Sequence, residues 1–230
     1  MKAYSDRASD PQSAIMTIAS AGISLVGFRH ISSPLCWLLT MDQNNPGRLL
    51  FFKRWVANPF RLGSIVPSGK ALARAVAQNI QCEPGEYVIE YGGGTGTITS
   101  ELVKKVPPEK LIVFELDPDL ARHLKKAYPQ VTVIQGDVSK VKDLLPPGVA
   151  GNVGCIVCGI PMLLLPDAVQ LAITEGMFSV LKPGRFFLQF TYSWFSPLPR
   201  ERLGLTGKRV AFATANVPPA SLWRYERLKS

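Results

Sequence analysis

Apolar and polar positions along this chain follow two rhythms. Short runs rich in β-branched and aromatic residues cover 87–91, 111–116, 131–135, 153–158 and 185–191, and that composition predicts strands. The stretches between them carry apolar residues at helical spacing, which predicts helices over 97–106, 117–128 and 166–181 and a short helical piece near Val141. Asp117 followed by Pro118 marks one helix start, because an Asp side chain caps the first N–H groups and Pro suits the first helical position. Lys182-Pro183-Gly184 reads as the turn into the fifth strand, and the runs 208–213 and 220–228 read as a closing pair around Asn216-Val217-Pro218-Pro219. Strands alternating with helices predict an α/β fold with a doubly wound, mainly parallel sheet of seven strands.

In an open α/β sheet, ligands sit beyond the carboxyl ends of the strands. The first strand leads into YVIEYGGGTGTIT, residues 87–99, where Glu90 precedes a turn containing Gly92, Gly93, Gly94 and Gly96. Backbone without Cβ atoms lets a ligand approach closely. A pyrophosphate-binding G-x-G-x-x-G needs glycine where Thr97 stands, and no Lys follows in the P-loop position, so both phosphate-cradling motifs are excluded. An acid beside the loop favours a cationic ligand instead. S-adenosylmethionine meets that requirement through its sulfonium and amino groups, with Gly92, Gly94, Thr95 and Gly96 beside it. Glu115, at the second strand end, suits the two ribose hydroxyls as an acceptor. Asp137, after the third, suits the adenine amino group, with the Val138 N–H donating to the ring.

Composition and charge narrow the partners. A chain of 230 residues, 47% hydrophobic, suits one domain with a buried core plus an appended segment. Its 26 Lys+Arg against 17 Asp+Glu, a net +9, favour nucleic acid or an acidic membrane surface, and charge alone does not choose between them. Cys36, Cys82, Cys155 and Cys158 form no secreted disulfide framework, and Cys155 and Cys158, three apart in a strand, point to opposite faces. His30 and His123 are the only histidines, so a zinc site or a His-based triad lacks raw material and no metal is expected.

VIEYGGGTGTIT, VFELDPDLARHL and VIQGDV resemble the cofactor motifs of class I methyltransferases. NPFRLGSIVPSGKALARAV, GIPMLLLP, LKPGRFFLQFTYSWFSPLPR and NVPPASLWRYERL are similar to the small bacterial phospholipid N-methyltransferases, over about residues 48–230. That resemblance implies stepwise methylation of phosphatidylethanolamine towards phosphatidylcholine, with S-adenosylhomocysteine as the other product. It also implies a bacterial cytoplasmic enzyme on the inner face of the membrane. The rRNA adenine dimethyltransferases share the fold and carry Asn-Leu-Pro-Tyr or a similar motif after the fourth strand. Here Gly159-Ile160-Pro161-Met162 lacks the polar and aromatic side chains that hold a flipped adenine, so nucleic acid is not the expected substrate. The alternatives are another amino lipid, such as ornithine lipid, and, more remotely, rRNA adenine.

Backbone carbonyls at Gly159 and Ile160, ahead of Pro161, suit a primary amine. Tyr192 is the expected amine contact, Gln189 supports it, and Ser64, Ser68 and Trp194 complete the expected substrate contacts. Tyr192, Trp194, Trp223 and Tyr225 offer aromatic faces to a headgroup that becomes a permanent cation. Residues 48–80 form a basic amphipathic segment. Phe51, Phe52, Trp55 and Phe60 recur at near-helical spacing beside Lys53, Arg54 and Arg61, with no acid between 48 and 74, the pattern of a helix lying in an anionic headgroup layer. Residues 1–47 read as an extension, interfacial or disordered. Its apolar stretch 14–28 is too short for a membrane span, and Met41 begins a segment of ordinary length for the resembling family. The methyltransferase domain is expected over 81–230.

Overall fold

The computed structural model describes residues 69–192, 195–216 and 219–228. The expectations placed on 1–68, which include Phe51, Phe52, Lys53, Arg54, Trp55, Phe60, Arg61, Ser64 and Ser68, lie outside those residues, as does the one placed on Trp194. The strands are Tyr87–Tyr91 (β1), Leu111–Glu115 (β2), Thr132–Gln135 (β3), Val153–Cys158 (β4), Leu181–Thr191 (β5), Leu205–Ala213 (β6) and Ala220–Arg227 (β7). Among the described residues the α-helices are Lys70–Gln78 (α1), Thr99–Leu102 (α2), Pro118–Ala127 (α3), Val141–Leu144 (α4) and Asp167–Val180 (α5). The sheet runs β3-β2-β1-β4-β5-β7-β6. Its first five strands pair in parallel, and β7 is antiparallel to both β5 and β6.

Side-chain alternation assigns each strand residue to a layer. Val88, Val113 and Val157 pack with Leu72 of α1 and Leu124 of α3 on one face, while Ile89, Phe114 and Ile156 pack with Val141 of α4 and Met177 of α5 on the other. Cys155 and Cys158 fall on opposite faces, as their spacing predicts. Burial pushes both thiols up, that of Cys158 to about 12, so neither is poised as a thiolate.

Three boundaries differ from the sequence pattern. The helix expected over 97–106 keeps only Thr99–Leu102 and continues as turns. The reason is local: Pro107 and Pro108 carry no N–H with which to extend it. The expected turn at Lys182-Pro183-Gly184 lies inside β5, because the chain is already extended at Leu181. The irregularity survives as a register jump from Val153↔Leu181 to Cys155↔Phe186, with Gly184 at φ +78. Third, the described end of the basic segment is α1, which buries Leu72, Ala73, Val76 and Ala77 against the sheet and leaves Lys70 and Arg74 in solvent. That apolar face belongs to the core.

The amino edge of the sheet is closed by charge pairing. Glu86 lies buried before β1; its Oε2 accepts from the Glu83 N–H (2.9 Å) and its Oε1 from Arg185 (2.7 Å) and Lys182 (2.9 Å). Burial alone would raise this carboxyl, but those donors outweigh it and bring it down to about 2.

Candidate active site

The strand order reverses between β1 and β4, and in open α/β sheets ligands bind beyond the carboxyl edge at such a point. The glycine turn is tied to β2: Gly92 and Gly93 N–H both donate to Phe114 O (2.8 and 3.2 Å). Two of its glycines have distinct reasons. A Cβ on Gly93 would stand 2.5 Å from Val113 Cγ1 and 2.7 Å from Leu124 Cδ1, so close packing demands glycine. Gly94, at φ +54, would point a Cβ into space with nothing within 4 Å, so it is an open position of the turn where a ligand has room to approach. Gly92 and Gly96 also have positive φ, and Thr95 is exposed beside them with its hydroxyl 3.2 Å from that of Thr97.

Glu90 stands near the carboxyl end of β1, directly ahead of the glycine turn. It is 0% exposed, and its Oε2 accepts from the Thr99 hydroxyl at 2.7 Å. Its Oε1 is buried with no hydrogen-bond partner among the described residues. Burial pushes the carboxyl up to about 8, Thr99 partly opposes the rise, and the neighbouring Glu115 adds to it. A buried carboxyl with one orphaned oxygen is a receptor for a cation. Thr99 was not expected as a site residue; its signal was weak, a hydroxyl in the first turn of the helix that follows the loop.

Glu115 is held by the loop it was expected to serve. Its Oε2 accepts from the Gly94 N–H (2.7 Å) and its Oε1 from the Asp117 N–H (3.0 Å). Each oxygen keeps a second lone pair, so the carboxylate can still receive a pair of hydroxyls. Asp137 caps the turn after β3 through Oδ1 to the Ser139 N–H (2.9 Å) and remains exposed, with Val138 buried beneath it. The acids at 90, 115 and 137 thus stand at three successive strand ends, β1, β2 and β3.

The segment after β4 corrects one expectation. Ile160 O already accepts from the Met162 N–H (2.8 Å) and from Gln189 Nε2 (3.0 Å), which uses both lone pairs of a carbonyl and removes it as the amine acceptor. Gly159 lies against the glycine turn, donating its N–H to Tyr91 O (2.8 Å), and a Cβ there would come within 3.0 Å of Tyr91 O and Gly92 O. Pro161 leads into the 3₁₀ turn Met162–Leu164. Gln189 is 2% exposed, and its Oε1 is buried without a partner. Tyr192 stays at the carboxyl edge but packs edge-to-face on Phe190 (6.2 Å), on the opposite sheet face from Gln189, so the two do not form one pair. No cluster of metal-ligating side chains occurs among the described residues.

The donor set fits S-adenosylmethionine: an orphaned buried carboxylate for its cationic end, acids at the next two strand ends, and a glycine with open space before it. Known proteins with similar sequence or structure agree. The family described as ribosomal RNA adenine dimethylase matches residues 64–143. The chain is 29% identical to an ornithine lipid N-methyltransferase of Singulisphaera acidiphila, over 76% of this chain and 93% of that one. It is 38% identical to ribosomal RNA small subunit methyltransferase A of Variovorax paradoxus, but over only 35% of this chain and 31% of that enzyme. Among solved structures, TrmN from Thermus thermophilus superposes with a TM-score of 0.55 at 17% identity, over 74% of this chain and about half, 53%, of that one. The fold is that of the class I S-adenosylmethionine-dependent methyltransferases, whose cofactor leaves as S-adenosylhomocysteine.

Proposed function

We infer that this S-adenosylmethionine-dependent methyltransferase is an N-methyltransferase acting on the primary amine of an amino lipid at a membrane surface. The observation that carries the reading lies after the fourth strand. Gly159 and Met162 offer no polar and aromatic pair for a flipped base, while Gln189, tied through Nε2 to Ile160 O, keeps its Oε1 as a buried acceptor for an N–H donor. The extent of the similarities supports it. Similarity to the ornithine lipid enzyme extends over 93% of that protein, whereas similarity to the ribosomal RNA family ends at residue 143, before β4, and so covers the cofactor half. Phosphatidylethanolamine, converted stepwise to phosphatidylcholine, is the first expected substrate. Ornithine lipid is the second, favoured by that full-length relative.

A lipid ammonium has a pKa near that of lysine, ~10.4, so it must give a proton to solvent before its nitrogen can attack. S-adenosylmethionine supplies a methyl on sulfonium sulfur, and the S–C bond breaks as the N–C bond forms, the electron pair leaving with S-adenosylhomocysteine. The chain supplies alignment. Glu90 takes the cofactor's ammonium, Glu115 its ribose, and Asp137 with Val138 its adenine. Gln189 Oε1 accepts an N–H of the substrate amine and turns the lone pair towards the glycine turn. The basic, aromatic stretch from Phe51 to Arg61 holds the enzyme on an anionic leaflet, each Lys or Arg contributing about 1 kcal/mol, on the cytoplasmic side of a bacterial membrane.

The test is transfer of labelled methyl by purified protein to phosphatidylethanolamine vesicles, ornithine-lipid vesicles and unmodified rRNA in parallel. Label in either lipid supports the reading and identifies the headgroup. Label in RNA alone overturns it.

A further inference from the structure

Two neighbouring rungs of the β5–β7 ladder hold three buried polar atoms that no group among the described residues satisfies. On the face shared with α4 and α5, the register sets Phe187 opposite Tyr225, Gln189 opposite Trp223 and Thr191 opposite Ser221. The first rung is closed: its rings stack at 5.2 Å, and the Tyr225 hydroxyl lies 2.7 Å from Ser196 Oγ. The next two are different. Gln189 Oε1, Trp223 Nε1 and Ser221 Oγ are buried and have no hydrogen-bond partner among the described residues.

Neither Gln189 nor Trp223 can relieve itself by rotating in place. Gln189 Nε2 donates to Ile160 O and Phe190 O (3.0 and 3.2 Å), so a flipped amide would set its oxygen against two carbonyls. The Trp223 indole is held by stacking on Tyr225 at 6.4 Å and 17°, and its N–H can only donate. Ser221 is 0% exposed between strands. Gln189 and Trp223 stand directly opposite one another, and Ser221 lies two residues from Trp223 along the same strand face, so the three side chains share one patch of the sheet. One fixed acceptor beside one obligatory donor and a hydroxyl complements a group that carries N–H and an anionic oxygen a few bonds apart.

We propose that these rungs form the headgroup subsite: Gln189 Oε1 accepts from the lipid amine, while Trp223 Nε1–H and Ser221 Oγ–H donate to an anionic oxygen of the same headgroup. The proposal rests on the amino-lipid reading and narrows it to zwitterionic headgroups. A phosphodiester and the carboxylate of an amino-acid lipid offer the same oxygen chemistry, and the assay separates them. The subsite adjoins the reacting centre. Ile160 links the two, bonding Gln189 through its carbonyl and lying 3.4 Å from where a Cβ on Gly92 would stand.

The experiment compares wild type with Trp223→Phe, which keeps the stack but removes the donor, and with Trp223→Phe/Ser221→Ala. Each is assayed on phosphatidylethanolamine, on ornithine lipid and on a long-chain alkylamine with no anionic group near its nitrogen, all in the same neutral micelles. The expected result is a KM for the zwitterionic lipid raised at least tenfold, kcat within about twofold, and preference over the alkylamine falling by the same factor as kcat/KM. The S-adenosylmethionine Kd serves as the check on folding. Equal losses on zwitterionic lipid and alkylamine would make the two residues structural. No loss on either would mean that the three atoms share only buried water. Both results overturn the subsite while leaving the amino-lipid reading intact; a wild type that methylates none of the three amines overturns both.

Discussion

Glu86 and Glu90 lie four residues apart, one just before β1 and the other near its carboxyl end, both buried, and their carboxyls are driven in opposite directions, to about 2 and about 8. At the amino edge, two cations and a backbone N–H complete Glu86 within the fold. At the carboxyl edge, Glu90 has one hydroxyl donor and an orphaned oxygen. Tyr91, Gln189, Ser221 and Trp223 repeat that pattern, each with a buried, unsatisfied polar atom at the carboxyl side of the sheet. Each orphan costs folding about 1–3 kcal/mol. A fold that completes Glu86 at one edge and leaves Glu90 incomplete at the other has put its structural glutamate at the first and its receptor at the second.

Substitutions that treat the two edges alike should therefore separate them. The largest effect is expected of Glu90→Ala: S-adenosylmethionine affinity weakened at least about 100-fold, the loss of a buried charge-assisted pair, with a thermal midpoint unchanged or raised. Isothermal titration beside a melting curve checks both halves. Next, Glu86→Gln should leave cofactor affinity unchanged and lower the unfolding free energy by about 2 kcal/mol, between surface and buried ion-pair values because Lys182 and Arg185 are partly exposed. Urea unfolding measures it. Smaller again, Gly93→Ala should cost about 1–3 kcal/mol by overpacking Val113 and Leu124. Gly94→Ala should cost about 1 kcal/mol for its backbone angle and fall mainly on cofactor binding. If Gly93→Ala weakened binding more than stability, the division of the turn into a packed and an open side would be wrong.

Much of this was legible in the sequence because it is local. Strand composition fixed Tyr87–Tyr91 and Val153–Cys158 to the residue, and the acids at 90, 115 and 137 could be placed at strand ends by counting. What escaped depends on register between distant strands. Gln189 takes the Ile160 carbonyl only because β4 and β5 align Cys158 with Gln189, and Ser221 and Trp223 face that site only because β7 runs antiparallel beside β5. Tyr192 was misjudged as a partner of Gln189 for a related reason. Its parity places it with Phe190, and parity shows once the strand's faces are known.

The uncompensated carboxyl gives the comparison its most direct test. The folded value for Glu90, about 8, stands above the ordinary 4.5, so the folded protein without cofactor holds that proton more tightly than the unfolded chain. This stabilisation is full below the ordinary carboxyl range and is lost as pH rises through about 8. Binding a cation at Glu90 must expel the same proton. Calorimetric titration with S-adenosylmethionine between about pH 6 and 9, in buffers of different ionisation enthalpy, reads it directly. The account predicts release of close to one proton near neutrality, with Kd weakening about tenfold per unit as pH falls below about 8 and no such dependence in Glu90→Gln. A flat Kd with no proton exchanged in the wild type would contradict it, because Glu90 would then not be the group that receives the cofactor's charge.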